Sequence, residues 1–148
     1  MKLLLAYDGR DRSRVALDET VRVALDEGAS VTVFAVIPKS ARGTKSGGHV
    51  GQAPHARDDV AHAKSYLGER GVQAETKVVA GDPADEILSE ARTGDYDLIV
   101  VGTRELGRVS KVLLGSVSQA VTRQAPCPVL VVAPERIERF EPTAHAVA

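Results

Sequence analysis

Cysteine occurs once in this chain, tryptophan not at all, and methionine only at the first position. The lone Cys127 excludes an internal disulfide and any metal site built from several cysteines. Three Tyr and two Phe are few rings for stacking nucleic-acid bases. A formal net charge of −1 argues against a surface made to grip a phosphate backbone. No apolar run approaches the ~20 residues of a membrane span. The opening run from Met1 to Ala6 stops at Asp8, short of a secretory signal with its cleavage site. Neither a nucleic-acid nor a membrane partner is expected, and the expected location is cytoplasmic.

What is present suffices for one folded domain. The chain has 148 residues, 43% of them apolar and 26% charged, with 13 Gly and 7 Pro. That composition supports a single core rather than disorder. The domain is expected over residues 1–134, with a C-terminal tail over 135–148.

Lys2–Tyr7 is a short apolar run without helical period, as in a strand buried on both faces. Val15, Leu17, Val21, Ala24 and Leu25 then recur at helical spacing over Asp11–Glu27, with Asp11 or Ser13 as cap and Gly28 just past the end. Ser30–Ile37 is a β-branched run and reads as a second strand. A Gly-, Ser- and Lys-rich stretch with little to bury follows, and a long mobile loop is expected over 39–56. A helix resumes near Arg57 with Val60, Ala63 and Leu67 inward, closed by Gly71, and Val72–Val79 forms a third strand. Gly81-Asp82-Pro83 starts the next helix, with Asp82 as cap, Pro83 in the first turn and Ile87, Leu88 and Ala91 facing the core. Asp97–Val101, a helix over Ser116–Gln124 and the strand Pro128–Ala133 complete the series.

Strands alternating with helices run parallel, with right-handed crossovers covering both faces. The expected fold is therefore α/β, a doubly wound five-stranded parallel sheet in the order 3-2-1-4-5. Ligands on such sheets sit beyond the carboxyl ends of the strands, where the winding reverses. That places the candidate crevice between strands one and four, at Tyr7–Arg10 and Val101–Ser116.

Two familiar phosphate loops, GxxxxGK(S/T) and GxGxxG, are absent. Gly102, Gly107 and Gly115 are nevertheless spread through the loop after strand four. Gly102 can let the backbone come close to a ligand. Ser116 with Gln119 matches a capping box, and the start of that helix favours an anion. Arg104, Arg108 and Lys111 against Glu105 concentrate positive charge there. Glycine at a strand end and serine at a helix cap are also common in α/β proteins that bind nothing.

The stretch Gly102–Ser116 with VSQAVTRQAPCPVLVVA, the opening LLAYDG, the AVIP after strand two and GDPADEIL together resemble the universal stress protein family, in the right order up to about Pro134. The resemblance implies a Rossmann-like fold, usually homodimeric, in which many members bind ATP. Its nucleotide motif, G-x2-G-x9-G(S/T), is matched by Gly102 and by Gly115-Ser116, while Glu105 stands at the second glycine. The same resemblance matches Asp8 to the acidic residue at the end of strand one and Val36 to the position whose backbone meets the adenine. Arg104, Val117 and Ser118 fall on positions that line the pocket, and Ala6, Tyr7, Val101 and Gly107 complete the candidate set. Glu105 departs from the pattern. A side chain there is strained if φ must be positive, and its carboxylate repels phosphate unless it turns to solvent or pairs with a neighbouring base. Gly107 offers another place for the loop to bend.

Cys127, between two prolines at a strand start, has no base near it in sequence and reads as a core thiol. His49, His55 and His62 read as solvated, and His145 falls in the tail. Asp8 suits a Mg²⁺ on a triphosphate, and equally a cap on the turn into the first helix. No acid–base or nucleophile–base pair emerges, so binding is favoured over catalysis, with weak ATP hydrolysis at most. Strand five, over Val129–Ala133, would be an apolar edge. Pairing with a second copy would cover it, a homodimer that the resemblance also implies. Ile137 and Phe140 would then pack on the partner or lie in a loose tail. The expected function is that of a stress-response regulator or sensor binding ATP. The alternatives are a dimeric interaction protein without nucleotide and a slow ATPase.

Overall fold

A computed structural model of the chain describes residues 1–39, 55–103 and 115–142. In chain order the elements are β1 (Lys2–Ala6), α1 (Asp11–Glu27), β2 (Ser30–Pro38), α2 (Ala56–Glu69), β3 (Ala74–Gly81), α3 (Pro83–Thr93), β4 (Leu98–Gly102), α4 (Ser116–Gln124), β5 (Val129–Val132) and β6 (Ile137–Phe140). They build one sheet in the order β3-β2-β1-β4-β5-β6. The first five strands are parallel, as the alternation with helices requires.

Apolar runs without period two place β1 at the centre of the sheet. Leu3, Leu4 and Leu5 are fully buried, and successive side chains serve opposite faces. Leu3 and Leu5 join the core under α1 and α2, with Leu17, Ala24, Val60, Ala63 and Leu67. Leu4 joins a second core under α3 and α4, with Phe34, Ile87, Leu88 and Val121. The helix termini follow local chemistry. Gly28 closes α1 at φ +64, and Asp82 caps α3 by accepting from the Asp85 N–H at 3.0 Å.

Three expectations are corrected. The sheet has six strands, because Ile137–Phe140 turns back and pairs antiparallel with β5. The strand expected at the edge, Val129–Ala133, is therefore flanked by β4 and β6, and the edge that was to pair with a second copy is occupied within the chain. Ile137 and Phe140 were expected to pack on a partner or lie in a loose tail, but Val129–Val132 offers a ready-made ladder that needs only four partners. Leu25 is 54% exposed rather than inward; it lies about 100° around the helix from Ala24, which ends the buried stripe. Ser116 does not cap α4, since Gly115 takes that position in extended conformation (φ −64, ψ 166) and no side-chain cap forms.

Gly102 also has a packing role. A Cβ there would stand 2.1 Å from the Arg12 carbonyl oxygen and 2.7 Å from its carbon. The glycine is required by the first turn of α1, which packs directly on the end of β4. The approach it permits within the chain is between two parts of the backbone, and the same residue lines the crevice described below.

Leu17→Ala is expected to cost about 2–5 kcal/mol in urea unfolding, whereas Leu25→Ala should stay within about 0.5 kcal/mol of the parent. Gly102→Ala should destabilise by about 1–3 kcal/mol through overpacking against Arg12, read as a lower urea midpoint.

Candidate functional site

β1 and β4 end side by side at the centre of the sheet, and the loops leaving them diverge to opposite faces. The result is a crevice of about 570 Å³ at their carboxyl ends. That size lies within the ~300–1,000 Å³ usual for small-molecule sites. Ala6–Asp8 form one wall, Val101–Thr103 the floor, Val36 with Phe34 the side of β2, and Gly115–Ser118 the start of α4. Of the expected site residues, Ala6, Tyr7, Asp8, Val36, Val101, Gly102, Gly115, Ser116, Val117 and Ser118 are brought together here. Arg104 and Gly107, like Glu105, Arg108, Lys111, His49 and His145, lie outside the described residues.

Asp8 is the most heavily bonded polar group of the crevice. Its Oδ1 accepts from the Arg10 N–H at 2.9 Å and from the Ser13 hydroxyl, and its Oδ2 accepts from Arg12 Nη2 at 3.1 Å. The Asp8 N–H donates in turn to Ser13 Oγ at 3.0 Å. Asp8 and Ser13 thus fasten the β1–α1 turn, the plainer of the two roles expected for this carboxylate. Burial pushes the carboxyl up. The hydrogen bonds from Ser13, the Arg10 N–H and Arg12, together with the Arg12 charge, more than offset this and hold it below the usual aspartate value. Asp8 stays ionised near neutral pH, and as a residue of the crevice lining it keeps acceptor capacity beyond these bonds.

Tyr7 lines the crevice but is only 7% exposed and belongs to the core under α1 and α2. Burial raises its hydroxyl pKa; Arg14 pulls it back, while the Asp59 and Asp8 charges add to the rise. Gly9 takes φ +78, and a Cβ there would stand 2.6 Å from Asp59 Cγ, so the absence of a side chain lets α2 close over the turn. The first intrahelical bond of α4 runs from the Gln119 N–H to the Gly115 carbonyl at 2.9 Å. The N–H groups of Ser116, Val117 and Ser118 precede that bond, and with the helix dipole they form a positive end at the crevice.

Ser13, Arg12 and Asp59 were missed as site residues by sequence reasoning. Ser13 and Arg12 lie on α1 and reach the site only because the first turn folds back on Asp8. Asp59 comes from α2, whose charged positions look alike in sequence. The Asp8–Ser13 spacing, which lets one side chain bond the next turn, was the signal that could have found Ser13. Cys127 is buried, and burial with the Asp97 charge pushes its thiol to about 11, as suits a core residue. Among the described residues no three His, Cys, Asp or Glu side chains gather into a metal-binding group, and no helix is long and apolar enough to cross a membrane.

Known proteins share this fold. The chain is 36% identical to the universal stress protein YxiE of Bacillus subtilis (strain 168), over 88% of this chain and 97% of that protein. The fold superposes on the universal stress protein UspA from Lactobacillus plantarum with a TM-score of 0.72 at 26% identity, covering 89% of this chain and 97% of the other. It also superposes on a universal stress protein from Archaeoglobus fulgidus solved in complex with dAMP, with a TM-score of 0.68 at 25% identity, covering 88% and 96%. The sequence profile of the universal stress protein family matches residues 1–133, and the chain belongs to that family.

Proposed function

We propose that this protein binds an adenine nucleotide, ATP in the first instance, in the crevice between the ends of β1 and β4, and acts as a nucleotide-dependent stress-response regulator rather than as a catalyst. The observation that carries this reading is the crevice itself. One side is apolar, with Ala6, Val36 and Val101, and the other is the positive start of α4 with the Ser116 and Ser118 hydroxyls. A flat base fits the apolar side, and phosphate oxygens fit N–H groups at a helix start. The remaining acceptor capacity of Asp8 suits a sugar hydroxyl. The dAMP held by the Archaeoglobus fulgidus relative supports the same class of ligand. A Mg²⁺ would be carried in on the phosphates, since Asp8 is already engaged by Ser13, Arg10 and Arg12.

The departure at Glu105 favours the second reading, a family member that has given up the nucleotide and works through its protein surfaces. Calorimetric titration with ATP and Mg²⁺ separates the two. The native chain is expected to bind in the micromolar range, and Gly115→Asp, which sets a carboxylate at the helix start, to abolish the heat signal. Silence from the native chain with binding restored in Glu105→Gly would establish the second reading instead.

Asp8 gives a pH-dependent check on the turn that shapes the crevice. Its folded-state pKa lies below the ordinary 3.8, so its contribution to stability is present above that value and is lost as pH falls through the lower folded value. The stability difference between the native chain and Asp8→Ala, measured by urea unfolding, should be constant near neutrality and shrink below pH 3.8.

A further inference from the structure

We infer that Arg12 makes the crevice select adenosine compounds that carry a phosphate: its guanidinium, paired with Asp8 in the structure, passes to the phosphate beside the sugar when such a ligand enters. The inference rests on the adenine-nucleotide reading above and adds to it a residue that reads phosphorylation. Its basis is the position of Arg12. A Cβ on Gly102 would stand 2.1 Å from the Arg12 carbonyl oxygen, so the main chain of Arg12 is pressed against the end of β4. The side chain therefore leaves from a fixed point at the crevice floor, and it lines the crevice together with Asp8, Gly102 and Ser116.

The bond that Arg12 would give up is a weak one. Arg12 Nη2 lies 3.1 Å from Asp8 Oδ2, and the two side chains are 36% and 41% exposed. An ion pair this open to water contributes little to stability. A phosphate carries more charge than a carboxylate and meets the planar guanidinium with paired, charge-assisted hydrogen bonds. The exchange therefore favours the phosphate. Asp8 is not stranded by it. Oδ1 keeps the Ser13 hydroxyl and the Arg10 N–H, and a sugar hydroxyl can donate to Oδ2 in place of Arg12. The phosphate next to that sugar would then be held from both sides, by the guanidinium from α1 and by the N–H groups at the start of α4. An unphosphorylated nucleoside cannot complete the exchange. If its hydroxyl displaces Arg12, the guanidinium loses a partner and gains none; if it does not, the hydroxyl forgoes Oδ2. Either way the nucleoside binds more weakly.

Calorimetric titration of the full chain with adenosine, AMP and ATP tests this. The native chain should hold AMP roughly tenfold tighter than adenosine. Arg12→Gln should lose about that factor for AMP while its affinity for adenosine stays level or rises. Arg12→Lys, a point charge without the planar fork, should fall between the two. A merely structural role would weaken all three ligands together, and that outcome overturns the inference, as does a preference for AMP that survives Arg12→Gln. A native chain that binds adenosine and AMP alike overturns the inference and leaves the adenine reading standing, whereas one that binds none of the three overturns both. Should Arg12→Gln fail to fold, NMR on the native chain decides. The Arg12 Nε–H resonance should shift on saturation with AMP, and a resonance unmoved with AMP bound overturns the inference.

Discussion

The seam where the first turn of α1 meets the end of β4 leaves no room for a side chain. The Arg12 carbonyl lies so close to Gly102 that even a methyl group would penetrate it. Much of the site follows from that contact. It brings the β1–α1 turn against the end of β4, aligns Asp8 with the mouth between the two strands, and lets Ser13 reach back to the carboxylate. A chain that could not close this seam would still have its sheet, but the wall and floor of the crevice would stand apart.

The same turn settles the electrostatics of the opening. Two carboxylates, Asp8 and Asp59, line the crevice, and by charge alone they would repel an anion. Asp8, however, is bonded by Ser13, by the Arg10 N–H and by Arg12, and its charge is largely answered within the turn. The positive start of α4 lies on the other side. The crevice is thus polarised, with hydroxyl acceptors toward α1 and N–H donors toward α4, and a ligand with a sugar at one end and phosphates at the other matches that polarity.

The sheet and its helices were largely legible because they rest on local chemistry. The unbroken apolar runs of β1, β4 and β5 read directly as buried parallel strands, and Asp82-Pro83 marks a helix start by its own hydrogen bond and fixed φ. What failed depended on contacts distant in sequence. Ile137–Phe140, with two charged residues in four, shows no strand signal until β5 is beside it. Gly102 could be recognised as necessary, but its reason lay in Arg12, far away along the chain. Ser116 and Gln119 have the spacing of a capping box, yet the backbone places Gly115 at the cap and moves the hydroxyl one position inward. The candidate site was legible as a set of residues, ten of which line the crevice, whereas the bonds among Asp8, Ser13 and Arg12 were not.

The sheet divides the interior into two separate oily compartments, one beneath α1 and α2 and the other beneath α3 and α4. The crevice opens where both can be touched at once, with Tyr7 drawn from the first and Phe34, Ile87 and Val101 from the second. An occupant there is a bracket across the sheet. By mass action its binding free energy is added to the folded form, and because it grips both layers it ties their opening together. On the proposed function, a nucleotide there would be less a cargo than a removable rivet, felt as stiffness on both faces of the protein.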